Sequence, residues 1–347
     1  MRLIQRKKTY NRIAIFGHKG LIGSAIFKQL KIKGYKKLIT VEKKKLNLLN
    51  EKEVLSFYLK HKPNIIIIAA ARVGGIKANI KYPFNFIYEN LIIQNNIIKM
   101  SIKFRCERVI FLGSSCIYPK IWKRPFKESD ITLSPLEKTN EYYAIAKISG
   151  LKLCEAYNRQ YSSSKTHFIT IIPPNLFGDN DNYNENNSHV LAALIRKFYL
   201  AKKYKKKSVK IWGTGNPKRE FLSADDAAKM ITDLMETSFT RINKHTKGKY
   251  FHINIGAGRD YSIKELALIL KKISNFKGNI VFDKSYPDGV KRKVMNINLL
   301  KKISPLSLNK NLTSKKNLIN NIKKVYSNVN ETLFKKFKKN STYSLPI

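Results

Sequence analysis

Strand–helix alternation over the first half of the chain limits the fold more than any other feature. Five short runs, Arg12–Phe16, Lys37–Val41, Asn64–Ala69, Arg108–Leu112 and Phe168–Ile172, are apolar nearly throughout and rich in β-branched residues. A strand with one wet face alternates apolar and polar residues, whereas continuous runs belong to strands covered on both faces. Helical patterns lie between them at Ile22–Lys33, Glu51–His61, Pro83–Phe104 and Glu141–Tyr161. The alternation predicts an α/β fold over residues 1–175, a doubly wound parallel sheet of the Rossmann type. Its crossovers are right-handed and its ligands lie at the strand carboxyl ends.

Past residue 175 the pattern loosens. Strand candidates Val209–Trp212, Phe251–Ile255 and Asn279–Phe282 are spaced by helical segments Ser188–Tyr204, Ala224–Thr237 and Ser262–Ile273 and by turns such as WGTGNPKRE and SYPDGVKRK. Residues 176–329 are predicted to form a smaller α/β lobe that closes over a ligand. The basic, weakly periodic segment 330–347 is expected to be a peripheral tail.

Composition narrows the function classes. Hydrophobic residues make up 43% of the 347, enough for a packed interior. No apolar run approaches the roughly 20 residues that cross a bilayer, and the first residues, MRLIQRKKTYN, lack the apolar core of a signal peptide, so no membrane partner is expected. Three widely spaced cysteines, Cys106, Cys116 and Cys154, form no Cys-x-x-Cys pair. They argue against a disulfide framework or a metal site and for a reducing, cytoplasmic setting. Lys+Arg outnumber Asp+Glu by 68 to 23, a formal +45. The surplus is scattered along the whole length, as solvated surface charge is, so no specific nucleic-acid face is expected.

Two patterns carry chemistry. In IAIFGHKGLIGSAIFKQL, Gly17, Gly20 and Gly23 stand between the first strand and the first helix. Glycines there let the chain turn tightly and let a pyrophosphate meet the backbone N–H groups of a helix N-terminus, which predicts a dinucleotide site. The second strand ends in Glu42, followed by Lys43. A carboxylate at that corner takes the ribose hydroxyls of NAD, and a cation takes the 2′-phosphate of NADP; Lys19 adds a second cation and favours NADP. The other pattern is Tyr143-x-x-x-Lys147, two side chains on one helix face, about thirty residues after GSSCIYPK at the end of the fourth strand. An ammonium and a cationic nicotinamide both favour phenolate. With Ser114, the phenol offers hydrogen bonds to a ketone oxygen while hydride adds to its carbon.

Together these pieces resemble the extended short-chain dehydrogenase/reductase family. Longer segments narrow the resemblance: AAARVGGIKAN, LGSSCIYPK, NEYYAIAK, NSHV, IWGTGNPKREFL, INIGAG and PDGVKRK are similar, in order, to those of the GDP-L-fucose synthase family. That resemblance implies an NADPH-dependent enzyme that epimerises a GDP-linked 4-keto-6-deoxy sugar at C3 and C5 and reduces it at C4. It implies Cys116 as base, His189 as acid, Tyr143 as the proton donor to the C4 oxygen with Lys147 lowering its pKa, and Ser114 on that oxygen. It puts Leu112, Gly113, Ser115, Pro173, Asn175, Leu176 and His189 around the cofactor with the glycine loop. Lys197, Trp212, Arg219, Asp288 and Lys293 fall to the GDP-sugar, Trp212 being equally suited to plugging the small lobe. Departures from the family pattern are Pro174, Tyr142, Ser223–Ala224 and Glu42. The long helices Pro83–Phe104 and Glu141–Tyr161 are the family's usual dimer contacts. A homodimer with a four-helix seam is expected, with Leu91, Ile92, Ile98 and Leu151 supplying apolar contacts.

Overall fold

The computed structural model describes residues 11–121, 123–184, 188–286, 288–304 and 311–336. The chain opens with β1 (Arg12–Phe16), α1 (Leu21–Ile32), β2 (Lys37–Thr40), α2 (Glu51–His61) and β3 (Ile65–Ile68). It continues through α3 (Ile76–Lys81), α4 (Pro83–Lys103), β4 (Arg108–Leu112), α5 (Glu141–Gln160) and β5 (His167–Ile172). These five strands lie within one residue of the apolar runs at either end. Side chains alternate in destination along them: Ile13, Ile15, Ile65 and Ile67 enter one core, and Ala14, Phe16, Ile66 and Ile68 enter the core on the opposite face. Both faces are covered, which is why the runs carry no polar alternation.

The second half comprises β6 (Asn175–Phe177), α6 (Val190–Lys203), β7 (Ser208–Trp212), β8 (Lys218–Ser223), α7 (Ala224–Glu236), α8 (Phe239–Thr246) and β9 (His252–Asn254). It ends with β10 (Asp260–Ser262), α9 (Ile263–Ser274), β11 (Asn279–Asp283), β12 (Arg292–Lys293), α10 (Asn298–Ile303), α11 (Lys315–Asn328) and α12 (Glu331–Lys336). The large sheet has six strands in the order β2-β1-β3-β4-β5-β9. Two smaller sheets, one around β8 with β6, β10 and β12 and one pairing β7 with β11, build the other lobe over its own apolar core.

Three expectations need correction. The strand expected at Phe251–Ile255 does not belong to the small lobe: β9 pairs in parallel with β5, Thr170 opposite His252. α7 likewise returns to the large lobe, where Ala227, Ile231 and Leu234 pack with Ala25, Ile26 and Leu30 of α1. The large lobe therefore draws on two stretches of chain, residues up to 172 and again 224–255. Short strands bounded by polar turns do not encode which sheet they join. Second, the tail is not peripheral throughout, because in α12 Phe334 is buried against Tyr183 and Tyr199; residues 337–347 lie outside the described residues. Third, Ile98 and Leu151 are each 1% exposed and belong to the cores of their own chain, so neither reaches a dimer seam.

Candidate active site

The nucleotide corner is made of backbone. Gly17 has φ +88°, and a Cβ there would lie 2.7 Å from the backbone of Ala69 and Ala70 at the end of β3. A Cβ on Gly23 would overlap the carbonyl oxygen of Gly17. The loop folds on itself through Gly20 N–H donating to Gly17 O at 3.0 Å, and no side chain caps α1. Close backbone packing at Gly17 and Gly23 leaves the first-turn N–H groups of α1 without a side-chain cap, the arrangement a pyrophosphate uses. Beside it, Lys19 donates to Glu42 Oε1 at 2.5 Å. That contact holds the Glu42 carboxyl below its ordinary range, with Lys45 and His18 adding to the effect. The acid at this corner is thus neutralised from within the glycine loop, and exposed Lys43 follows it in the chain.

The reacting cluster gathers where β4 ends. Gly113 N–H continues the ladder to Ile171 O at 2.9 Å, and a Cβ on it would collide with Ile172. Ser115 N–H donates to Pro173 O at 3.2 Å, which ties the end of β5 to a short 3₁₀ turn, Ser115–Ile117. Ser114 caps that turn, its hydroxyl accepting from Cys116 N–H at 3.2 Å. Asn175 holds β8 by donating to Glu220 O at 3.0 Å, and Leu176 packs on the core beneath.

From α5, Tyr143 and Lys147 point to the same place, but not as expected of them. Lys147 is 4% exposed and its ammonium donates to Leu112 O at 2.8 Å. Its Nζ is 5.9 Å from the centre of the Tyr143 ring. Burial alone holds Lys147 down to about 8. The Tyr143 phenol is pushed up by burial first and by the field of Cys116 second, offset only in part by the Ser114 hydroxyl. The ammonium donates to a backbone carbonyl, and burial favours the protonated form of the phenol, which the Ser114 hydroxyl faces.

Cys116 is half-buried and a free thiol. Asn140, at the start of α5, donates Nδ2–H to its sulfur at 3.3 Å. Arg219, from β8 of the small lobe, lies within electrostatic reach of the same sulfur and of Glu137 and Asp288, and burial lowers its pKa. His189 stands immediately before α6. The residue is exposed, yet desolvation by the surrounding protein lowers its pKa. Among the described residues no hydrogen bond or ion pair joins His189 to the Cys116 cluster.

The far wall is built of long side chains. Trp212, 45% exposed at the end of β7, stacks on Tyr286 with centroids 4.4 Å apart and planes at 10°. Lys197 Nζ is 5.2 Å from the Trp212 ring and donates to Lys210 O at 2.8 Å. Lys77, carried by α3 of the large lobe, reaches across to 4.9 Å from the same ring. Asp288 accepts from Thr214 N–H at 2.9 Å and from its hydroxyl at 2.6 Å, so it pins the turn after β7. Lys293 is paired in register with Arg219 on the neighbouring parallel strand, which puts both side chains on one face of the sheet. Three of these residues, Lys77, Asn140 and Tyr286, escaped sequence reasoning. Each stands inside or beside a quoted segment (AAARVGGIKAN, NEYYAIAK, PDGVKRK), yet none has a neighbour in sequence that signals its contact. Among the described residues no group of three or more His, Cys, Asp or Glu is placed to hold a metal.

Comparison with known proteins agrees with this geometry. A model of the NAD dependent epimerase/dehydratase family matches residues 13–256. GDP-L-fucose synthase of Escherichia coli (strain K12) is 44% identical over 289 residues, covering 83% of this chain and 89% of that protein. A GDP-mannoheptose C4 reductase from Campylobacter jejuni, solved with NADP bound, has a TM-score of 0.81 at 35% identity over 92% of this chain and 98% of its own. A GDP-L-fucose synthetase from Naegleria fowleri bound to NADP has a TM-score of 0.79 at 27% identity over 92% and 94%. Sheet order, site and sequence match lead to one assignment: the chain belongs to the NAD dependent epimerase/dehydratase family.

Proposed function

We propose that this protein is a GDP-L-fucose synthase: it epimerises a GDP-linked 4-keto-6-deoxy sugar at C3 and C5 and reduces it at C4 with NADPH. The observation that carries the reading is the convergence of the Cys116 thiol, the Tyr143 phenol and the Ser114 hydroxyl at the end of β4, with Arg219 approaching from the other lobe.

The residues present fit NADP. The tightly folded glycine loop, which a Cβ at Gly17 or Gly23 would force apart, takes the pyrophosphate. Lys19 and Lys43 take the 2′-phosphate, Glu42 being already paired. Leu112, Gly113, Ser114, Ser115, Pro173, Asn175 and Leu176 form the floor under the nicotinamide, with Lys147 at its ribose. When bound, the cofactor supplies the hydride that C4 accepts. Cys116 removes a proton from a carbon next to the ketone, made acidic because the electron pair spreads onto the C4 oxygen. His189 returns a proton from the opposite face. Ser114 holds the C4 oxygen, and Tyr143, kept protonated by burial, donates to it as the carbonyl is reduced. Arg219 and Lys293, on one face of adjacent strands, suit the diphosphate, and the Trp212–Tyr286 pair suits the base.

The test is incubation with the GDP-4-keto-6-deoxy-mannose substrate and NADPH in deuterium oxide. Expected are GDP-L-fucose, one NADPH consumed per product, and deuterium at C3 and C5. Reduction with no deuterium on either carbon would reassign the protein as a plain C4 reductase, as the Campylobacter relative is named.

Two exposed faces support a homodimer. Phe84 and Tyr88 stack on α4 at 5.1 Å, and Tyr142, Ile145 and Leu153 lie exposed on α5, with Leu91 and Ile92 half-covered beside them. The two helices pack side by side, so their outer faces form one apolar surface for a second copy. A monomeric mass by light scattering at micromolar concentration would discard that seam. A base that must remain a free thiol fits the reducing cytoplasm.

A further inference from the structure

The Cys116 sulfur has a partner that the reading above leaves without a task. Asn140 occupies the N-cap of α5, where an asparagine side chain ordinarily accepts from a free N–H of the first turn. Here it makes no such bond. Its Nδ2 donates instead to Cys116 Sγ at 3.3 Å, and its Oδ1 is buried without a partner. The sulfur is thus the one hydrogen-bond partner of this amide among the described residues. The helix that carries Tyr143 and Lys147 goes without its side-chain cap, and a buried oxygen goes unsatisfied, so the arrangement costs stability on two counts. Departures from local preference of this kind concentrate at functional sites.

We propose that Asn140 is a positioning residue, one that fixes the Cys116 sulfur and donates to the thiolate that abstracts the proton. An N–H donated to a group that gains negative charge stabilises the charged form, and charge-assisted bonds are the stronger ones. The charged and titratable neighbours of this sulfur act in known directions. Arg219 is cationic and assists; Tyr143 shares a repulsive field with the thiolate; Glu137, paired with Lys120, and Asp288, bonded to Thr214, reach Arg219 through their charge alone. Asn140 is the neutral donor among them. In the proton transfer itself, the carbon–hydrogen bond next to the ketone breaks and the proton moves to Sγ. Its electron pair passes into the enolate on the C4 oxygen, and the Asn140 N–H remains on a now neutral thiol. The bond therefore acts on the state before transfer by holding the base aimed. The inference rests on Cys116 being the base, and its test separates the two.

The experiment measures alkylation of Cys116 by iodoacetamide in ligand-free protein at neutral pH, read by peptide mass; Cys106 and Cys154 are buried and serve as internal controls. Asn140→Ala is expected to slow alkylation about tenfold, the loss of one charge-assisted bond. Asn140→Asp keeps the shape, removes the donor and adds a negative charge, so it slows alkylation at least as much. A purely structural role predicts that the isosteric variant behaves as wild type. In deuterium oxide both variants are expected to lose carbon–deuterium exchange by a similar factor, while reduction of the already epimerised ketone stays within about twofold. Unchanged alkylation and exchange in both variants overturns the role of Asn140. Wild-type exchange by Cys116→Ala overturns the base assignment instead, and the alkylation rates then still decide whether Asn140 governs the thiol.

Discussion

On the β1–α1 side of the cleft, the groups offered to a ligand are backbone atoms held by a six-stranded sheet; on the β7–β12 side they are the ends of Trp212, Tyr286, Lys77 and Lys197. The first side is fixed before any ligand arrives. Gly17 touches the end of β3, Gly23 touches Gly17, and the N–H groups of α1 have nowhere else to go. The second side is held by stacking and cation–aromatic contacts between long side chains. One of them, Lys77, comes from the opposite lobe. A preformed cradle recognises the part of the ligand shared across a whole family, and a wall of adaptable side chains recognises the part that varies.

The contrast is most severely tested at Gly17. Gly17→Ala forces a β-carbon into a left-handed position and against the backbone of Ala69 and Ala70, at a cost of about 2–5 kcal/mol. The expected result is a lowered melting temperature together with loss of NADPH binding, read by calorimetry and by fluorescence of the bound cofactor. Normal NADPH affinity in a stable Ala variant would show that the cradle is not rigid.

At the soft wall the expected effect is smaller and of another kind. Trp212→Ala removes a flat apolar face that also orients Lys77 and Lys197, and steady-state kinetics should give a rise in KM for the GDP-sugar of about tenfold with kcat within threefold. A matching loss in kcat would mean that the pair positions the reacting carbon and not the base.

The smallest effect sits between the two walls, at Lys147. Its folded pKa is held down to about 8 from 10.5 by burial. Between those values the unfolded chain carries a proton that the folded chain has released. Stability therefore rises with pH across this window, and the group's destabilising effect is fully present only below it. Lys147→Met removes the rise, seen in melting temperatures from neutral to alkaline pH. At pH 7 its net effect is expected within about 1 kcal/mol, because relief from burying a charge is offset by leaving Leu112 O without its donor. A Met variant that keeps the alkaline rise would place its source elsewhere.

Legibility from sequence follows the same division. The five parallel strands, the glycine turn and the Tyr143/Lys147 face were readable because each depends on neighbours a few residues away: period, bulk and turn chemistry are local. The bonding of Lys147 was not readable, since a motif shows that a lysine is four residues on but not that its ammonium is bonded to Leu112 O. Ile98 and Leu151 are indistinguishable in sequence from seam residues because apolar residues on a long helix look alike whichever side the core takes them. The lobe that β9 joins is not legible either, because three residues can complete either sheet.

By itself, the sequence determined the class of fold and where its ligands gather, because continuous apolar runs permit only strands covered on both faces, and three glycines permit only a backbone cradle between the first of them and its helix. Tertiary structure alone decided what the side chains do there: that Glu42 is neutralised by Lys19, that Asn140 turns to a sulfur 24 residues away, and that Lys77 crosses to Trp212. Those are contacts between groups distant in the chain, and burial and proximity, which set charge and hydrogen bonding, exist only once the lobes have met.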